Sequence, residues 1–425
     1  MQEDFLHYVW KYLKFDVLRA TTAQHEALDI LSVGQHNTNS GPDFFNAQIK
    51  IGEQFWAGNV EIHVKASEWF VHNHEQDKAY DNVILHVVWE HDTNIFRKDN
   101  SCLATLELKK FVDNTLFENY KNLLTSPYRK WINCEQDFAQ VDNFVIDHWL
   151  ERLYFERLER KSETILRLLE TSKNDWESVL FQLLAKNFGL KVNGDSFLSF
   201  AQSVPYSVVR KVQSNIDQLE ALFFGQAGLL DDEVQDPYFM QLAKNYQFLK
   251  QKFKLENSHV MPVKFFRLRP PNFPTIRLSQ LAMLYHGYQN LFSKLMAIET
   301  LEVYYKVFKV SATQYWDKHY SFNSASKASK KVMSKSFINL LLINTIIPVK
   351  FSYSKYLGKD IDDEIISLIQ SMSSEKNSIV EKFDSLKPIS KSALQSQALL
   401  QLKNSYCEKN RCLQCGIGNT LLTRN

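Results

Sequence analysis

The chain carries almost no excess charge: 50 Lys and Arg residues stand against 48 Asp and Glu, a formal net of +2. That balance excludes a basic coat over the whole surface, although it leaves room for a local patch that grips a polyanion. Long hydrophobic runs are also missing. The longest, Phe337 to Phe351, is broken by Asn339, Asn344 and Lys350 and falls short of the roughly 20 residues that a bilayer span needs. Cysteine is sparse, with five residues, and a disulfide framework is not expected in a reducing compartment. No internal repeat of fixed period is present. The acidic start, Met1-Gln2-Glu3-Asp4, leads straight into a helical pattern, so no signal peptide is expected and a soluble cytoplasmic protein with no membrane partner is the expectation. A hydrophobic content of 44%, thirty Phe and eight Trp argue against wholesale disorder, and 425 residues suit two or three domains.

What the chain does have is concentrated near its start. Eight of its twelve histidines (His7, His25, His36, His63, His72, His74, His86 and His91) fall in the first 91 residues, interleaved with acidic groups. Hard oxygen donors with nitrogen ligands nearby are what a divalent-metal site requires. Apolar residues repeat at helical spacing over residues 3–14. Strand-like segments follow at Ala27–Leu31, Phe44–Ile51, Gln54–Val64 and Asn82–Trp89, with Ile51-Gly52-Glu53 as the turn of a hairpin. A further strand is expected at Leu103–Leu108, before a helix around Val112–Leu124. From about Val141 onward the patterns are helical, beginning with the amphipathic stretch Phe144–Leu169. The expected architecture is an α/β domain with a small sheet over residues 1–130 and a mainly α-helical region over 131–425. The Ser/Lys-rich stretch Ser321–Lys335 reads as an exposed connector or a basic helix end.

Side chains two apart on a strand point the same way. Glu61, His63 and Lys65 therefore line one face while Val60, Ile62 and Val64 pack the other. Asp43, after Gly41-Pro42 at the head of the neighbouring strand, can reach the same place, unless it serves only to cap that turn. Pro42-Asp43 with Glu61 resembles the PD-(D/E)XK phosphodiesterase superfamily. That resemblance implies a restriction-endonuclease-like sheet and Mg²⁺ or Mn²⁺ held by Asp43 and Glu61, with DNA or RNA as the substrate. It also implies a lysine two residues after the acid, where this chain has His63, with Lys65 one alternation further on. An acidic residue or histidine on the first helix belongs to the same pattern, and Glu3 and His7 fit it. Gln76 and Tyr80 match the spacing of a Gln-x-x-x-Tyr element found in some members.

Two rival readings come from the same residues. His72-x-His74 with Asp77 and His63 could present a zinc-type hydrolase site, although no His-Glu-x-x-His signature is present. Replacement of the lysine by His63 also suits a non-catalytic module that binds nucleic acid or protein on a degenerate nuclease fold.

Two further clusters stand out. Cys407, Cys412 and Cys415 form a Cys-x4-Cys-x2-Cys pattern that suits a thiolate-bound metal, with Cys134 the best fourth ligand and Cys102 a lesser choice. In arrangement this is similar to the iron–sulfur staple of some nucleases in that superfamily, which implies a 4Fe-4S cluster, with Zn²⁺ as the alternative. Such a staple would tie the end of the chain to the domain junction. Arg267, Arg269 and Arg277 lie among aromatics and prolines in Phe265–Arg277, as a nucleic-acid contact would, or as partners for acidic helices. Gly225-Gln226-Ala227-Gly228 is too short for a phosphate loop and reads as a helix end. Taken together, Ser40–Phe44, Gly58–Val64, Ala79–Trp89, the Arg267–Arg277 loop and the terminal cysteines resemble an uncharacterised bacterial family known as domain of unknown function 2851, a resemblance that implies no activity.

Overall fold

The structure is a computed structural model and describes residues 1–124, 130–231 and 234–424. Two compact units divide the chain. One comprises Met1–Trp149, Lys382–Lys387 and Leu400–Asn425, and the other Leu150–Glu381 and Pro388–Leu399. The division thus falls near residue 150, some way past the expected 130. Residues beyond 130 stay with the first unit because they pack on its returning segments: Trp131 lies edge-on to Phe383 at 4.7 Å, and Lys403 Nζ donates to the Trp131 carbonyl at 3.1 Å.

The first unit is built on a mixed sheet. Its elements are α1 (Glu3–Lys11), β1 (Leu28–Ser32), β2 (Gln35–His36), β3 (Phe44–Ile51), β4 (Gln54–Lys65), α2 (Glu68–Val71), β5 (Val83–Glu90), β6 (Thr105–Glu107) and α3 (Asn114–Leu124). The strand order is β1-β3-β4-β5-β6, with β2 pairing β3 off this path. β3 and β4 form the expected hairpin, closed by the pair Ile51 and Gln54, with Gly52 at a φ of +57° that glycine tolerates freely. β4–β5 and β5–β6 run parallel. Alternation then sorts the side chains. Val60 and Ile62 of β4 and Leu85 and Val87 of β5 join Phe5, Leu6, Val9 and Trp10 of α1 and Leu116 and Tyr120 of α3 in one core. The Phe5 and Tyr120 rings stack at 4.2 Å. Glu61, His63 and His86 therefore point the other way, where a smaller apolar cluster includes Trp69 and Val88.

The second unit is mainly helical. Its helical stretch Lys335–Tyr356 has 22 residues and is apolar enough to cross a membrane, but 72% of its most apolar window is buried within the protein. Ser321–Lys335 is not simply an exposed connector. His319–Ser321 pairs with Ser324–Ala325 as a small ribbon, and Lys331 is buried, donating to the carbonyls of Ser329 at 3.0 Å and Asp317 at 3.3 Å.

Candidate metal centre

Asp43 stands at the entrance to β3, in a turn tied together by Asn37. The Asn37 amide donates to the carbonyls of Asn39 and Ser40 at 3.1 Å and of Pro42 at 3.0 Å, and the Asn37 main-chain N–H donates to the Asp43 carbonyl at 2.7 Å. Asp43 and Glu61 are then locked reciprocally. Asp43 Oδ2 accepts from the Ile62 main-chain N–H at 2.9 Å, and Glu61 Oε2 accepts from the Asp43 main-chain N–H at 3.2 Å. Each carboxylate keeps a second oxygen for another partner.

Imidazoles fill the space around them. From α1, His7 Nε2 lies 3.3 Å from Asp43 Oδ2, and Glu3 sits one helical turn earlier. His74 Nε2 lies 3.3 Å from Glu61 Oε1, and His63 Nε2 lies 3.5 Å from the same oxygen. His63 Nδ1 meets His86 Nε2 at 2.8 Å, while its Nε2 meets His72 Nδ1 at 3.1 Å. One nitrogen of each pair must carry the proton. The His63, His72 and His74 donor atoms all lie within 4.8 Å of one another, close enough to share one cation. His74 Nε2 and His7 Nε2 are buried and near carboxylates, yet neither is aligned as a hydrogen bond. Buried polar atoms without a partner are uncommon and call for an explanation, and a cation between them and the carboxylates would supply one.

Electrostatics agree with this crowding. Burial raises the Glu61 carboxyl above its ordinary range, with the His74 contact opposing. Burial, the Asp43 charge and Glu68 raise Glu3 as well. For His7 the downward pull of burial is outweighed by Asp43, and the net shift is upward. Burial, followed by the neighbouring His74 and His72, depresses His63 to about 3, so it is neutral and offers a lone pair at ordinary pH. Burial and the Glu61 and Asp43 charges push the Tyr80 hydroxyl up to about 12; its ring stacks on His74 at 3.7 Å.

Of the residues singled out in the sequence, Asp43, Glu61, His63, Glu3, His7, His72 and His74 come together. Lys65 does not join them. It is exposed at the end of β4, its main-chain N–H donates to Glu68 Oε2 at 2.9 Å, and its charge acts on Asp92. Asp77 instead caps the following turn by accepting from the Ala79 N–H at 2.9 Å, and Gln76 is exposed. Asn37 and His86 were not singled out. The Asn-x-Asn-Ser-Gly-Pro run ahead of Asp43 was the available signal for the first, and the alternation that puts His86 on the Glu61 face was the signal for the second.

The four expected cysteines also converge. Cys134, Cys407, Cys412 and Cys415 line one cavity whose other walls include Leu123, Ile132, Phe138 and Ile417, whereas Cys102 is exposed elsewhere. Burial pushes the Cys415 thiol up to about 11 and raises the other three. The loop between Cys407 and Cys412 borders a groove lined by Asp4, His7, Lys11, His36, Lys409 and Arg411, beside the His7–Asp43 contact.

In the second unit, Arg267 and Arg269 are exposed. Arg277 is not. It is 6% exposed, donates to Gln280 Oε1 at 2.8 Å and Asn272 Oδ1 at 2.6 Å, and stacks over Phe337 at 3.5 Å.

Fold and site thus define a two-unit protein whose sheet-bearing unit gathers carboxylates and imidazoles from two adjacent strands, the first helix and the β4–β5 crossover. A family model described as "Protein of unknown function (DUF2851)" matches residues 3–378, and the chain belongs to that family. No curated protein and no solved structure matches it significantly.

Proposed function

We propose that the sheet-bearing unit is a metal-dependent phosphodiesterase that cuts nucleic acid. The observation that carries this reading is the placement of Asp43 and Glu61 on adjacent strands, each held by a main-chain N–H of the other's strand segment and each with an imidazole close to its carboxylate, His7 at Asp43 Oδ2 and His74 at Glu61 Oε1. Asp43 and Glu61 would hold a divalent cation, with His74, His63 and His7 as nitrogen donors. Such an ion lowers the pKa of a bound water and offsets charge developing on a phosphate. His63, with its depressed basicity, suits a ligand better than a general base. His86 fixes its ring through Nδ1, as an outer partner fixes a ligating histidine. Glu3 supplies further negative charge beside Asp43, and the basic side of the groove, with Lys11, Lys409 and Arg411, suits a phosphate backbone.

The three clustered imidazoles favour a transition-metal cation such as Mn²⁺, which accepts nitrogen beside oxygen donors, over Mg²⁺, which keeps to oxygen ligands. The experiment is cleavage of labelled single- and double-stranded DNA and RNA by the full chain in Mn²⁺ or Mg²⁺, beside Asp43→Ala and Glu61→Ala. Cleavage that is stronger in Mn²⁺ and lost in both variants supports the reading. Nucleic-acid binding without cleavage, unchanged by either substitution, would favour a binding module. The outward position of Lys65 is the specific feature that fits that second reading.

A further inference from the structure

The C-terminal segment Leu400–Asn425 belongs to the sheet-bearing unit, and its three cysteines face Cys134, a residue more than 270 positions earlier in the chain. Four thiols on one small cavity with apolar walls form neither of two ordinary arrangements. They are not disulfides, since all are free. Nor are they dispersed core fillers, since all four line that one cavity. The Asn133 amide donates to Cys412 Sγ at 3.3 Å. Hydrogen bonds aimed at sulfur are the outer support that metal-bound thiolates use.

The glycines following Cys415 are required by the same packing. A Cβ at Gly418 would stand 2.1 Å from the Cys412 carbonyl oxygen, and one at Gly416 would stand 2.9 Å from the Trp149 ring. The chain is thus pressed close to bring Cys412 and Cys415 to one side of the cavity. Spacing then separates the two candidate metals. A tetrahedral zinc on ~2.3 Å bonds needs sulfurs roughly 3.8 Å apart. Among the described residues, three imidazoles gather within 4.8 Å of one another, but no three of these thiols do. An iron–sulfur cluster, with inorganic sulfide between its irons, spreads its four thiolates more widely.

We propose that Cys134, Cys407, Cys412 and Cys415 ligate an iron–sulfur cluster that fixes the loop Glu408–Arg411 as a wall of the groove beside His7. Each thiol gives up its proton on ligation, and the iron and sulfide come from outside the chain. The loop is the part of the segment most in need of fixing: Glu408, Lys409, Asn410 and Arg411 are all exposed, and Asn410 has a φ of +53°. Beside main-chain hydrogen bonds to Lys403 and Tyr406, it is tied to Asn133, whose amide reaches Asn410 Oδ1 at 3.2 Å as well as Cys412 Sγ. The groove-wall role rests on the phosphodiesterase reading; the cluster does not.

The test is iron, sulfide and zinc analysis with visible absorption spectroscopy on the full chain purified without oxygen, needing no substitution. About four irons and four sulfides per chain, with thiolate-to-iron absorption, are expected. One zinc without sulfide, or a folded chain with metal-free thiols, would overturn the proposal. Cys134→Ser should lower iron content while Cys102→Ser leaves it unchanged; full iron in Cys134→Ser would overturn the four-ligand assignment. Lys409→Ala with Arg411→Ala should keep the iron but weaken binding of a labelled single strand in a salt-dependent way. Iron present with binding unchanged would remove the loop's role and leave the cluster standing.

Discussion

The Asp43 carboxylate takes its orientation from the Ile62 main-chain N–H and the Glu61 carboxylate from the Asp43 main-chain N–H, so the centre should respond to changes one step removed from the ligands. Asn37 touches no ligand side chain, yet its amide holds three carbonyls of the turn that ends in Asp43. Asn37→Ala is expected to lower metal affinity by about 10- to 100-fold, the usual cost of losing an outer support, with little change in folding. Calorimetric titration of the metal-free chain with Mn²⁺ would measure this. Lys65→Ala should leave cleavage unchanged, because that ammonium lies at the exposed strand end; a large loss in steady-state rate would put Lys65 in the site after all. The acids and four of the imidazoles were legible from alternation and helical spacing. The place of Lys65 was not, since alternation gives the face of a strand and not how far along it the site extends. The role of His86 was hidden for a related reason: a histidine within Val83–Glu90 looks like a core residue until the parallel register sets it opposite Glu61.

At the scale of elements, β4 serves both core and chemistry. Ile62 sends its side chain into the core shared with α1 and α3 while its main-chain N–H holds Asp43. Ile62→Ala should therefore cost about 3 kcal/mol of stability through the lost burial and the cavity left behind, while the hydrogen bond to Asp43 survives. Chemical denaturation would give the first quantity and Mn²⁺ affinity of the folded fraction the second; unchanged stability would mean that β4 is not packed as described. Strands, hairpin and flanking helices were readable because one face of each strand is apolar. The strand order was not. Parallel pairing of β4 with β5 is decided by the crossover through α2 and Lys78–Tyr80, a polar stretch whose own pattern carries little hydrophobic signal.

Across the whole molecule, the two units differ in what they bury. The second unit encloses Glu220, which accepts from the Tyr238 hydroxyl, from Trp316 Nε1 at 2.9 Å and from Thr313 Oγ1 at 3.1 Å. Burial raises this carboxyl above its ordinary value, although these donors pull it down. A raised folded-state pKa favours the protonated form, so its contribution is complete below the ordinary carboxylate value and is lost as pH rises through the folded value. Glu220→Gln should accordingly flatten the fall in melting temperature on going from mildly acidic to neutral pH, and an unaltered pH profile would contradict this. The return of residues 400–425 to the first unit was legible only through the cysteines. The helical pattern around them is continuous with that of the second unit, and no local signal marks the change of partner. In the proposed function, Asp43 and Glu61 hold a cation that promotes phosphodiester cleavage. The most direct measurement is cleavage by the metal-free full chain as Mn²⁺ is added back, in parallel with Asp43→Ala. Cleavage should rise in step with occupancy of about one Mn²⁺ per chain and be absent in the variant. Mn²⁺ occupancy without cleavage, or equal cleavage by Asp43→Ala, would contradict the claim.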